Sequence, residues 1–99
     1  MSTIEIKVRN EKGEKVVYEN HYMPVSKYRE YLEMQTKLEN NDIPEFEKLD
    51  IQLQFIASLF DGLSVEAMYD GLEMSELNEI ISDVFVKLVG GESDPKAQN

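Results

Sequence analysis

The sequence contains no cysteine and no tryptophan, one histidine (His21) and three prolines among its 99 residues. Without cysteine there is no disulfide, no thiolate nucleophile and no cysteine-based zinc site, and the absence fits a reducing cytosol. One histidine without cysteine is a poor start for a transition-metal site, so His21 is expected to be exposed or on an edge strand. No apolar run approaches the roughly 20 residues that a membrane helix needs. The opening MSTIEIKVRN lacks the basic start and apolar core of a signal peptide. Basic residues are also scarce: 10 Lys and Arg stand against 20 Asp and Glu, for a net charge of -10. Phosphate backbones and anionic lipids repel such a chain, which argues against nucleic acid and membrane as partners. Acidity keeps small proteins apart in solution, and it also suits a basic partner or mimicry of DNA in front of one.

The same reading removes most chemistry. There is no Gly-rich phosphate loop with its lysine. Asp61-Gly62 and Asp70-Gly71 superficially suggest calcium loops. Ser58, Leu59 and Phe60 stand before Asp61, however, where alternating oxygen ligands would be required. Most carboxylates fall on the polar faces of predicted helices, and Asp50 and Asp61 are explained by capping or solvation. No catalytic residue, no cofactor and no metal is expected. By elimination the chain is a binding or assembly protein and not an enzyme.

What is present suffices for one domain. Hydrophobic residues make up 41% of the chain, and a chain of this length buries roughly 60–65% of its unfolded surface. Ile4, Ile6 and Val8 alternate with Glu5, Lys7 and Arg9, the period of a half-buried strand. Asn10 to Gly13 forms a turn, and Lys15 to Tyr22 a second strand. Pro24 breaks the pattern. Ser26 is expected to cap a helix over 27–39 whose inner face is Tyr28, Tyr31, Leu32 and Leu38. Asn40 to Asp42 ends it, and Pro44 falls in the first turn of the next.

The stretch from Leu49 to Gly71 organises the rest. Phe46, Leu49, Leu53, Ile56 and Phe60 share one helical face, and Ile51, Phe55 and Leu59 form another ridge roughly opposite. A surface helix carries one apolar stripe, so two ridges place this helix at the centre of the fold or reserve one ridge for a partner. Asp61-Gly62 stops the helix, Ser64 caps a short one, and Asp70-Gly71 stops that. The last helix, about 73–89, carries Leu77, Ile80, Ile81, Val84, Phe85 and Leu88 before Gly90-Gly91. The expected fold is α+β and mostly α: an N-terminal β-hairpin followed by a small bundle of three longer helices and one short helix. It forms one domain over residues 1–91, with a flexible polar tail over 92–99.

This order of elements resembles the tail assembly chaperones of long-tailed bacteriophages, especially phages of Gram-positive hosts. The resemblance is carried by Phe55-Ile56, Leu59-Phe60-Asp61, the Ser64-to-Tyr69 helix, Asp70-Gly71-Leu72 and the closing helix into Gly90-Gly91. It implies a chaperone that binds the apolar, helix-rich tape measure protein and keeps it soluble while tail tube subunits polymerise around it. It further implies action in the host cell cytoplasm, absence from the finished virion, and a frameshifted longer form that recruits the tail tube protein. The short polar tail fits the unshifted product. Under this reading Ile51, Phe55 and Leu59, with Tyr28, Tyr31 and Met34, would meet the tape measure by helix-in-groove capture. The same surfaces could instead join subunits into a homo-oligomer. Two other readings stay open: a small acidic regulator of the anti-repressor or DNA-mimic type, and a helical dimerisation module seamed by Leu77 to Leu88.

Overall fold

In the computed structural model, which describes residues 3–90, β1 (Ile4–Arg9) and β2 (Lys15–Asn20) pair antiparallel. The tail expected over 92–99 lies outside the described residues, as does Gly91. Asn10 builds the turn. Its backbone carbonyl accepts from Gly13 N–H at 2.9 Å, and its own N–H donates to the Glu14 carbonyl at 2.8 Å. Its side-chain Oδ1 accepts from the N–H groups of Lys12 and Glu14. Gly13 takes φ +82°, giving the three-residue hairpin whose glycine forms a bulge. Ile4, Ile6 and Val8 point inward as their alternation predicts. β2 ends at Asn20, two residues short of Tyr22. Asn20 Nδ2 is buried and donates to the Leu59 carbonyl at 2.7 Å, which ties the chain to the end of the central helix.

Four helices follow among the described residues: α1 (Val25–Leu38), α2 (Glu45–Ala57), α3 (Val65–Gly71) and α4 (Met74–Leu88). α1 begins earlier than the Ser26 cap implies. Pro24 is the N-cap, no side chain caps it, and Ser26 lies inside the first turn. The buried strip of α1 runs through Tyr31, Met34 and Leu38 at helical spacing, so Leu32 falls to its edge and is 48% exposed. Pro44 is likewise the N-cap of α2 and not part of its first turn.

α2 differs most from expectation. It stops at Ala57, short of Phe60. Ser58 Oγ donates to the Phe55 carbonyl at 2.6 Å. The N–H groups of Leu59 and Phe60 turn to the carbonyls three residues back, Ile56 and Ala57, tightening the end into a turn. Both side chains are buried from that turn. At the other end the first turn of α2 overhangs the core, and Phe46, assigned by periodicity to the inner face, is 69% exposed. Ser64 caps α3 by accepting Ala67 N–H at 3.1 Å. Leu77, Ile80, Val84 and Leu88 carry the buried face of α4. Phe85, assigned to the same stripe, sits on its shoulder and is 43% exposed.

The fold is thus α+β and mostly helical. α1 lies on α2 and α4, while α3 and α4 cover β1. The last residue of α3, Gly71, sits so close to the hairpin that a Cβ there would be 2.3 Å from the Arg9 carbonyl oxygen and 2.5 Å from Val8 Cγ1. Nearby, Arg9 Nη1 reaches Glu76 Oε1 at 3.3 Å.

Candidate partner-binding surface

α1 and α2 run past each other, with Lys27 Nζ near Ser58 Oγ at one end and Tyr31 against Phe55 a turn further on. Tyr31 is the hub of an aromatic cluster. Its ring lies 6.4 Å from Tyr28 and nearly parallel to it, 6.0 Å from Phe55 and 5.7 Å from Phe85. These separations suit offset and tilted ring pairs. The cluster closes the seam where α1, α2 and α4 meet. Beneath it Tyr31, Met34, Phe55, Ile81 and Val84, with Gln35 and Gln52, line a cleft of about 20 Å³, room for about one water.

The structure brings three of the six nominated residues, Tyr31, Met34 and Phe55, into this one cleft, and Tyr28 stacks on its rim. Phe55 and Met34 are buried in the chain's own core, as is Leu59. Ile51 is half-buried against the same core, one turn before Phe55 on α2. Leu59 stands apart from the cleft, in the turn that holds Asn20. Most of the second ridge therefore faces inward, as a central helix requires. The open side of the seam belongs to Phe85, Tyr28 and Tyr31.

A second apolar groove was not singled out by periodicity. Leu49, Leu53, Met68, Leu72, Met74 and Leu77 line a space of about 160 Å³ between α2, α3 and α4. Its rim includes Met74, which is exposed. The Tyr69 hydroxyl donates to the Asp50 carboxylate beside it, linking α3 to α2. That bond, and less so burial, raises the Tyr69 pKa above the ordinary tyrosine value. The available signal was the run Tyr69, Leu72, Met74, too short for a periodicity argument.

Polar chemistry is sparse by comparison. Exposed His21 has Thr3 Oγ1 and Glu19 Oε1 each at 3.2 Å from its ring nitrogens. Among the described residues no group of three or more His, Asp or Glu is placed to hold a metal ion. No helix among them is long and apolar enough to cross a membrane.

The chain is thus an acidic, mostly helical α+β domain with an aromatic seam at its helical face. A sequence-family model described as "Phage tail chaperone protein" matches residues 1–99. The chain belongs to that phage tail chaperone family. No curated protein and no solved structure gives a significant match.

Proposed function

We propose that this phage tail chaperone binds the tape measure protein and keeps it soluble during tail morphogenesis. The observation that carries the reading is the aromatic seam. Tyr28, Tyr31 and Phe85 present ring surface beside exposed Leu32 and half-buried Ile51, on a chain whose net charge of -10 keeps it dispersed. A row of apolar side chains between helices is what an amphipathic helix docks against. Tyr28, Tyr31 and Ile51 meet the incoming helix, while Met34 and Phe55 support them from beneath. Leu59 contributes through the turn that fixes the end of α2. In this reading the chain acts in the host cytoplasm and is released before the virion is complete. A longer frameshifted form would add the recruitment of the tail tube protein.

The test is co-expression with a tape measure fragment, followed by pull-down across a salt series. Capture that survives high salt supports an apolar contact. Phe85→Ser and Tyr28→Ser are the variants to use, because both side chains are partly open and their loss leaves the core intact. Each is expected to weaken capture while circular dichroism stays unchanged. Capture that falls steeply with salt and ignores both variants would instead favour the acidic-regulator reading. Unchanged capture by these two, with loss on Met74→Ser, would move the site to the groove beside α3.

A further inference from the structure

We propose that two copies of this chain associate through the outer edge of β2, joining their hairpins into one four-stranded antiparallel sheet. The inference is independent of what the helical face binds. α3 and α4 cover β1, and Gly71 presses on its backbone at Arg9. β2 has no such cover: Lys15, Val16, Val17 and Glu19 are all exposed. A two-stranded hairpin is marginal alone, and an uncovered strand edge is a template for pairing.

The ladder determines which backbone groups face outward. Asn10 N–H bonds to the Glu14 carbonyl, and the register then runs Arg9 to Lys15, Val8 to Val16, Lys7 to Val17, Ile6 to Tyr18 and Glu5 to Glu19. Opposed residues alternate between bonded and non-bonded pairs. Val16 and Tyr18 therefore bond to β1, and Lys15, Val17 and Glu19 turn their N–H and C=O groups away from it. An added antiparallel strand must pair with these three residues. A second β2 does so about a two-fold axis at Val17: Val17 opposes Val17, Lys15 opposes Glu19, and Glu19 opposes Lys15. This register uses every outward group of the three. It also sets Val16 against Tyr18 on the inner side, a favourable β-branched and aromatic pair.

Charge points to the same register. Within one hairpin, like charges stand directly opposite each other at both ends, Glu5 against Glu19 and Arg9 against Lys15, an arrangement that destabilises a strand pair. In the paired sheet Glu19 of one copy gains Lys15 of the other, which relieves the Glu5–Glu19 conflict; at the other end Glu76 already offsets Arg9 and Lys15 within the chain. The contact is isologous, as two-fold dimers require. Both side chains also have neighbours within their own chain: Glu19 has His21 Nε2 at 3.2 Å, both exposed, and Lys15 lies near enough to Glu76 to help lower its pKa.

Sedimentation of the full chain at physiological salt, from micromolar to millimolar concentration, is expected to show reversible dimerisation. Lys15→Glu or Glu19→Lys alone sets like charges together twice per dimer and should weaken it about tenfold. Mixing the two single variants should restore a heterodimer, since each supplies the sign the other needs. The double variant Lys15→Glu/Glu19→Lys should dimerise like the wild type. Backbone amides of Lys15, Val17 and Glu19 should exchange with solvent more slowly as concentration rises. A monomer throughout, a dimer indifferent to the single variants, or freely exchanging amides at these positions in the dimer would each overturn the proposal. Restoration by mixing guards against misfolding as the cause of any loss.

Discussion

Gly71 has no side chain, and its neighbours leave room for none. Its helical backbone is ordinary, but an added methyl would strike the Arg9 carbonyl and Val8. Backbone cannot swing aside as the end of a flexible side chain can. Gly71→Ala is therefore expected to cost about 1–3 kcal/mol and to lower the thermal midpoint by about 10 °C, read by a calorimetric melt. Five residues on, Glu76 accepts the N–H of Glu73 at 2.7 Å, closing the first turn of α4. That bond holds its carboxyl below the ordinary carboxylate pKa against the opposing pull of desolvation, and Arg9 adds to the lowering. A depressed folded pKa gives stability that is present above the unfolded value and lost as pH falls through the folded one. The difference in urea midpoint between wild type and Glu76→Gln should therefore be widest above about pH 5 and shrink on acidification. Glutamine can still accept the same N–H, so the shrinking gap reports the charge itself.

At the scale of the element, α2 shows how far periodicity reaches. Leu53 and Ile56 of the first ridge and Phe55 of the second are all buried, because α1 lies on one side of α2 and α3 on another. Phe55→Ala is expected to destabilise the chain by about 3–5 kcal/mol, whereas Phe46→Ser should fall within about 0.5 kcal/mol of wild type; chemical denaturation of both checks the contrast. Spacing alone could not separate these phenylalanines, since it reports the face of a helix and not how far its neighbours extend along it. The hairpin, the cap at Ser64 and the face of α4 were legible because each rests on local chemistry. The end of α2 was not: it depends on Ser58 bonding back to Phe55 and on Asn20 arriving from the hairpin. Of the candidate surface, Tyr28, Tyr31, Met34 and Phe55 were readable as a group. The shoulder position of Phe85 follows from how α4 is rotated against α1, which no single-helix pattern contains.

At the scale of the molecule, hairpin and helices hold each other. Ile4, Ile6 and Val8 share one core with Leu53, Met68 and Leu77, and Lys87 Nζ reaches the Asn20 carbonyl at 3.2 Å. The chain should therefore unfold as one cooperative unit. Far-ultraviolet dichroism and tyrosine fluorescence are expected to give coincident transitions. Separate midpoints would mean that the hairpin and helices melt independently.

The union of Arg9 with Glu76 also sets a timetable. The two residues are 67 positions apart. At synthesis rates of about 5–20 residues per second, roughly 3–13 s pass between their appearances. By the end of that interval the strand bearing Ile4, Ile6 and Val8 and the helix α3 have been made, but α4, which covers the strand together with α3, has only begun. The apolar side of the hairpin waits, incompletely covered, until α4 follows. The hairpin is thus made well before it is buried, and an assembly chaperone of this design passes through a stage of its own in which it needs shelter.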